Sequence, residues 1–377
     1  MKKIYLASPK MSEEGYEREY VKEAFDTNWL STVGENLNKF EEEVTKYVGA
    51  KYGVGLANGT SAIHLGLKTL GVKKDDIVFV SDLTFSASVN PIIYENATPV
   101  FIDSEPDTWN MSPVALKKAF EKYPNPRAVV VVHLYGRMAN MREICKICEE
   151  YNVPILEDAA EALGTIYDGK YAGTFGEVGA LSFNGNKIIT TTSGGMLVSN
   201  DEEKIKKAKF WSTQSKEPVR HYEHKEIGYN YRMSNVLAGI GRGQMKVLEK
   251  RVAEKTHIFN SYKEAFKEID DIEMMPEHSN ERSNYWLSTM TIKETSKVKP
   301  LDVIETLEKE NIESRPVWKP MHLQPIFKKY DFIHHNENGK SVGEDLFDRG
   351  VCLPSDVNMT DEDIARVINI VKSLFEQ

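Results

Sequence analysis

The stretch YGVGLANGTSAIHLGLKTLGV, Tyr52 to Val72, reads in three pieces. Tyr52 to Leu56 alternates apolar residues with glycine and predicts a strand. Asn58-Gly59 predicts a turn. The hydroxyls Thr60 and Ser61 then open an apolar helical run, AIHLGL. Strand, glycine turn and helix is the repeating unit of an α/β sheet. The residues on either side continue the pattern. DIVFVSDLTFSASVNPIIYENATPVFID predicts strands at Ile77 to Val80 and Pro99 to Asp103 with a helix between them. RAVVVVHLYG is a continuous apolar strand, the type covered on both faces. Met141 to Tyr151 predicts a helix, and VPILEDAAEALG a buried strand running into an acidic turn. GALSFNGNK and GGMLVSN predict two more short strands. Upstream, Glu13 to Asp26 and Lys39 to Gly49 have helical spacing. Strands alternating with helices predict an α/β fold, a mostly parallel sheet flanked by helices. Such sheets bind ligands at the carboxyl ends of their strands. Those ends carry Asn58 to Ser61, Thr84 to Ser86, His133 to Gly136 and Glu157 to Glu161.

The texture changes further along. From Ser234 one long amphipathic helix is expected through NVLAGIGRGQMKVLEKRVAEKTHIFNSYKEAF. NYWLSTMTI then reads as a strand, Pro300 to Glu310 as a helix, Arg315 to His322 as a proline-bearing loop and Thr360 to Phe375 as a closing helix. With 377 residues, more than one core is expected. The division is a large α/β domain over 1–245 and a smaller α+β domain over 246–377.

Bulk composition excludes several classes. Apolar residues are 41% and charged residues 28% of the chain, a globular balance. The formal net charge is −9, which repels phosphate backbones, and no local basic patch offsets it, so no nucleic-acid partner is expected. No apolar run is long enough to cross a bilayer, and the apolar part of MKKIYLASPK is too short for a signal peptide. A cytoplasmic protein with reduced cysteines is the expectation. Cys145 and Cys148 form a CxxC, but ICKICEEYNVPI reads as an amphipathic helix with both thiols on one face. No second Cys/His pair lies nearby, so no metal site is expected.

The residues that could carry chemistry sit at the strand ends. Asp158 ends the apolar strand VPILED. It could cap a helix, yet a carboxylate buried there needs a positive partner, and a protonated pyridine nitrogen is one. Lys187, in FNGNKIITTTSGG, lies about one strand pair further on in a sheet of this kind, where neighbouring strand ends meet. Asn58-Gly59-Thr60-Ser61 places a helix N-terminus where free N–H groups can hold an anion. The same pattern is also that of a well-capped helix. Phe85 follows a strand, where an aromatic either joins the core or stacks on a flat ring. His133 ends another apolar strand and reads first as a satisfied core group. Taken together these describe a phosphate cradle, a stacking ring, a carboxylate for a pyridinium and an amine for a Schiff base. That set suits pyridoxal 5'-phosphate, PLP.

At this point the chain resembles the DegT/DnrJ-type nucleotide-sugar aminotransferases, PLP enzymes of fold type I. The resemblance rests on NGTSAIHLGL, LTFSASVNPI, HLYG, EDAAEALG, SFNGNKIITTTSGGM, GYNYRMSN and RPVWKPMH, in the family's order over nearly the whole chain. It implies that Lys187 is the lysine that holds the cofactor and that Asp158 partners its ring nitrogen. It places Glu161 near the ring hydroxyl, Phe85 on the ring face, and Gly59, Thr60, Ser61 and Ser182 at the phosphate. Asn230 matches a phosphate contact supplied by a second subunit, so a homodimer with shared sites is implied. The family commonly carries GEGG after the lysine; here the positions are Thr192, Ser193, Gly194 and Gly195. This variant resembles a subgroup acting on UDP-4-keto-6-deoxy-N-acetylhexosamines, on the route to bacillosamine-like sugars. In that subgroup Asn28, Trp29, Leu30, Ser31, Arg315 and Trp318 match segments that meet the sugar nucleotide.

The implied reaction is transamination in two halves, with L-glutamate as donor, the pyridoxamine form (PMP) as carrier and a nucleotide-linked 4-keto sugar as acceptor. Arg315 is the first candidate for the diphosphate. GDP-4-keto-6-deoxymannose, the perosamine-type substrate, is the alternative acceptor. A dehydratase on the same scaffold would carry histidine where Lys187 stands. A non-catalytic nucleotide-sugar-binding protein would have no use for the Lys187 and Asp158 pair.

Overall fold

The computed structural model describes residues 2–337 and 339–376. The first five strands are β1 (Tyr52–Leu56), β2 (Ile77–Ser81), β3 (Thr98–Ile102), β4 (Ala128–Val132) and β5 (Ile155–Asp158). A two-residue pair follows, β6 (Ile166–Tyr167) and β7 (Lys170–Tyr171), then β8 (Val178–Ser182) and β9 (Gly195–Ser199). The later strands are β10 (Ile272–Met274), β11 (Glu281–Arg282), β12 (Ser288–Ile292), β13 (Arg315–Pro316), β14 (Phe332–Ile333) and β15 (Gly350–Leu353). The large sheet has eight strands in the order β1-β9-β8-β5-β4-β2-β3-β14. Every neighbour is parallel except β9, which runs against both β8 and β1. The carboxyl ends of β1, β2, β4, β5 and β8 therefore lie along one edge, as the sequence pattern predicts.

Both faces of this sheet are covered. β4 shows why it reads as an unbroken apolar run: Val129 and Val131 enter one core cluster, while Ala128 and Val130 enter the other. Alternate residues point to opposite faces, so a strand buried on both sides must be apolar at every position. The helices that flank it begin with α1 (Tyr16–Asp26), α2 (Glu35–Val48), α3 (Gly59–Thr69), α4 (Asn90–Tyr94), α5 (Pro113–Lys122), α6 (Met141–Glu150) and α7 (Glu202–Ser212).

One expectation is corrected. The single helix expected from Ser234 is two, α8 (Asn235–Met245) and α9 (Leu248–Phe266). The backbone tightens at the join, where Lys246 N–H donates to Gly243 O and Val247 N–H to Gln244 O. The cause is a conflict of partners. A Cβ on Gly243 would lie 2.5 Å from the Glu17 backbone nitrogen, so α8 lies directly against α1. α9 instead buries Ile258, Tyr262 and Phe266 in a C-terminal cluster with Met290, Val351 and Val367. A straight helix cannot serve both.

The C-terminal part carries a four-stranded antiparallel sheet, β10-β12-β15-β13. Around it lie α10 (Pro300–Lys309), α11 (Val342–Arg349) and α12 (Asp361–Phe375). The two parts are laced together. β14 pairs with β3 at the rim of the large sheet, and Ile4 bridges to Ile312 within the C-terminal cluster. A further cluster joins Leu83, Leu134 and Tyr135 from the strand ends to Trp286, Val317 and Leu346. Among the described residues no helix is long and apolar enough to cross a membrane.

Candidate active site

A cavity of about 540 Å³ opens at the carboxyl edge of the large sheet. Gly59, Thr60, Phe85, Asp158, Glu161, Ser182, Lys187, Arg315 and Trp318 all line it. Residues read separately from the sequence thus meet in one space.

The turn after β1 builds one end. Asn58 caps α3: its Oδ1 accepts from Ser61 N–H at 2.8 Å and from Ser61 Oγ–H at 3.0 Å. Ser61 is therefore spent on the cap and lies behind the cavity wall. The first-turn N–H groups of Gly59 and Thr60 have no place in the helical ladder and are left for an anion. β9 presses this turn into place. A Cβ on Gly195 would lie 2.4 Å from the Asn58 carbonyl carbon, so only glycine fits. Ser193, which stands where the family commonly has glutamate, donates its hydroxyl to Ala57 O at 2.7 Å. The replaced residue stitches the cradle from outside.

Asp158 ends β5 with 5% of its surface exposed. Its Oδ2 accepts from Ser88 Oγ–H at 2.6 Å and its Oδ1 from Ala160 N–H at 3.2 Å. Ser88 is held in turn by Thr84 at 2.7 Å. Among the described residues no cationic side chain pairs with this carboxylate. A buried carboxylate without a cation is costly; a ring N–H⁺ is the partner the site lacks, and that is the group PLP brings. The residues present fit the cofactor.

Lys187 sits in the excursion between β8 and β9, folded back on itself by Phe183 N–H to Gly194 O and Thr191 N–H to Phe183 O. Its Nζ lies 3.5 Å from Glu161 Oε1 and 3.9 Å from the centre of the Trp286 ring. Glu161 Oε2 accepts from Tyr135 N–H at 2.7 Å. Burial pushes the Glu161 carboxyl up to about 7, against the opposing pull of Lys187 and the Tyr135 bond, with Asp158 adding to the rise. Lys187 is an amine held in a pocket, not a surface charge.

Trp286 was not singled out by sequence reasoning, because a tryptophan beside a strand is ordinary core. It is buried, its Nε1–H donates to Asn186 O at 2.7 Å and its backbone N–H to Asn284 Oδ1 at 2.9 Å. The buried Lys255 donates to its carbonyl at 2.9 Å. Only its need for an N–H partner hinted at a polar neighbour. Ser88 was also missed; a serine three residues after Phe85 carries no signal of its own.

Phe85 is 60% exposed, and its ring lies 5.8 Å from Trp318 across the cavity mouth. Arg315 donates from one guanidinium nitrogen to Ser314 O, and its charge helps to hold the carboxyl of Glu313, which lines the same cavity, below its ordinary range. Other expected positions lie elsewhere. Asn28, Trp29, Leu30 and Ser31 are exposed and do not line this cavity; Asn235 holds their backbone through Trp29 O and Ser31 O. Asn230 is likewise exposed and outside it. His133 is a satisfied core group: fully buried, its Nε2–H donates to Glu157 at 2.8 Å and its Nδ1 accepts from Ala139 N–H. A second cavity of about 560 Å³, beside Cys145, Cys148 and Glu177, lies at the amino ends of β5 and β8. No cation lines it, and burial pushes the Cys145 thiol up to about 11, so the chemistry belongs to the first cavity. Among the described residues no three metal-ligating side chains converge.

The profile of the DegT/DnrJ/EryC1/StrS aminotransferase family matches residues 11–372. EpsN of Bacillus subtilis (strain 168), named as a candidate pyridoxal phosphate-dependent aminotransferase, is 52% identical over 378 residues, covering 99% of this chain and 96% of that protein. A GDP-perosamine synthase of Caulobacter vibrioides is 35% identical over 97% of this chain and 96% of its own. A UDP-4-amino-4,6-dideoxy-N-acetyl-beta-L-altrosamine transaminase of Campylobacter jejuni is 33% identical over 71% of this chain and 68% of its own. Among solved structures, a DegT DnrJ EryC1 StrS aminotransferase from Brucella abortus superposes with a TM-score of 0.88 at 26% identity, over 97% of this chain and 96% of that one.

Proposed function

The chain belongs to the DegT/DnrJ/EryC1/StrS aminotransferase family, is a PLP-dependent nucleotide-sugar aminotransferase of fold type I, and from that premise we propose that its acceptor is a UDP-linked 4-keto-6-deoxy-N-acetylhexosamine, aminated at C4 with L-glutamate as donor. What carries the catalytic reading is that one cavity gathers Lys187, Asp158, Glu161, Phe85, Ser182 and the α3 N-terminus.

When bound, PLP supplies an electron sink and a carrier for the amino group. The chain supplies the rest. The Gly59 and Thr60 N–H groups and Ser182 would hold the phosphate. Asp158, kept in place by Ser88 and Ala160, would accept the ring N–H and favour the protonated ring. Phe85 would cover a ring face. Lys187, with its amine free, would be the base within the cavity, taking the proton at the donor Cα in one half-reaction and delivering one to sugar C4 in the other. Glu161 sits close enough to orient that amine. The lysines and arginines lining the cavity are Lys187 and Arg315, which leaves the guanidinium for the diphosphate.

Support for the UDP-linked sugar comes from TNWLS and RPVWKPMH and from the Campylobacter jejuni relative. The Caulobacter vibrioides relative favours a second reading, GDP-4-keto-6-deoxymannose, with similar identity over more of the chain. We also propose a homodimer in which Asn230, and the exposed Asn28 to Ser31 segment, serve the partner's cavity. The test is purified protein with PLP, L-glutamate and a panel of UDP-, GDP- and dTDP-linked 4-keto sugars, products read by mass and NMR. A 4-amino product from the UDP-N-acetylhexosamine is expected. Turnover of the GDP sugar alone replaces the first reading with the second, and no turnover on any member rejects both.

A further inference from the structure

Two residues outside the cavity hold its mouth together. Asp82 follows β2 and is fully buried. Its Oδ1 accepts from His322 N–H at 2.8 Å and its Oδ2 from His322 Nδ1–H at 2.6 Å. Its own carbonyl accepts from Met321 N–H at 2.9 Å. One buried residue thus grips two consecutive residues of a distant loop through three hydrogen bonds. The other side of His322 is fixed as well: its ring stacks on Phe332 at 3.9 Å, and its Nε2 lies 3.8 Å from Glu344 Oε1. Burial works against a charged ring here. The Asp82 bond, with the charges of Asp82, Glu344 and Asp103, outweighs it and holds the His322 pKa above its ordinary value.

Each side of this clamp carries one aromatic of the mouth. Phe85 stands three residues after Asp82. Trp318 stands four before His322, its N–H donating to Tyr135 Oη at 3.0 Å and its ring 5.2 Å from the Tyr135 ring. Phe85 hangs from the large sheet and Trp318 from the C-terminal part. The Phe85–Trp318 separation of 5.8 Å is therefore a distance between two parts of the fold; past Trp318 the chain returns to the large sheet, with Met321 in its core cluster and His322 on Phe332 of β14, and the Asp82–His322 bond anchors the segment that carries Trp318 to that sheet. A bond to a charged group within a buried setting fixes geometry more firmly than a neutral one.

We propose that Asp82 and His322 are positioning residues for the acceptor substrate: their bond sets the Phe85–Trp318 gap, so its loss impairs the nucleotide sugar and spares the small amino donor. The proposal rests on the nucleotide-sugar reading above. The test uses the holoenzyme and follows the two half-reactions separately by cofactor absorbance. His322→Leu removes the donor; His322→Asn keeps an N–H at the Nδ1 position. In His322→Leu the nucleotide-sugar concentration for half-maximal rate should rise about tenfold, with the glutamate half-reaction within about twofold of wild type. His322→Asn should recover most of the loss. A variant that merely folds less well lowers both half-reactions by one factor; that result, or no change in either, overturns the proposal. If His322→Leu does not fold, His322→Gln, which moves the donor one bond outward, is read by the same two results. A second readout needs no substrate. Acrylamide quenching of Trp318 fluorescence, isolated by subtracting a Trp318→Leu protein, should rise in the clamp variant and return in His322→Asn. Unchanged quenching overturns the proposal. Quenching that behaves as expected in a protein inert to every nucleotide keto sugar instead rejects the substrate reading and leaves the clamp standing.

Discussion

Glu161 is the residue whose environment departs furthest from what its neighbours in sequence suggest. In EDAAEALG it is one of three acids within five positions, and nothing local says which is buried beside an amine. Its carboxyl is pushed up to about 7, first by burial. The sign of the consequence follows. Below its ordinary value of 4.5 the group is protonated in both folded and unfolded chains and contributes no pH dependence. Between there and about 7 the folded chain keeps a proton that the unfolded chain has lost, so stability falls as pH rises. Above that the penalty is complete. Glu161→Gln should therefore raise the melting temperature of the cofactor-free protein by an amount that grows across this window and then levels off. Thermal melts of both proteins from acid to mildly alkaline pH check it; a difference that stays flat with pH contradicts the shifted carboxyl. Lys187 and Asp158 were legible because a lysine and an aspartate at apolar strand ends are expensive without a purpose. Trp286 and Ser88 were not, because their roles arise from contacts across 100 residues for Trp286 and 70 for Ser88.

The turn from β1 into α3 was the most legible element, and its cap is testable. Asn58→Ala removes the acceptor for Ser61 and should cost about 0.5–2 kcal/mol of stability, read by urea denaturation of the cofactor-free protein. Cofactor should also leave the variant faster, since the same turn presents Gly59 and Thr60. Stability lost with unchanged cofactor release would make the cap purely structural. The strands were legible because a sheet covered on both faces forces continuous apolar runs, as in β4. The break between α8 and α9 was not. Helical spacing continues across Lys246 and Val247, and the turn there answers to α1 and to the C-terminal cluster, neither of which local sequence reports.

At the scale of the whole molecule, a single chain leaves part of the expected site unused. Asn230, Trp29 and Leu30 are exposed and outside the cavity. Exposed aromatic and apolar groups are what a partner subunit can cover. If sites are shared, inactive Lys187→Ala and impaired Asn230→Ala chains should restore activity when mixed and allowed to exchange. One site of each mixed dimer then combines an intact Lys187 with the partner's intact Asn230. About a quarter of wild-type activity is the expected ceiling for random exchange of two chains with one good site in the mixed dimer; activity no higher than the sum of the two variants argues for self-contained sites. The sequence pattern exposed the fold class and most of the cavity because those depend on strand ends. It could not expose the Asp82–His322 clamp, since 240 residues separate the partners. The account rests above all on Lys187 as the tether of the cofactor. Borohydride reduction of the PLP-loaded protein, followed by peptide mass mapping, tests that directly. The account predicts a yellow protein that bleaches and carries one reduced pyridoxyl group, on the peptide containing Lys187. The same group on another lysine, such as the buried Lys255, or no adduct at all, would contradict it.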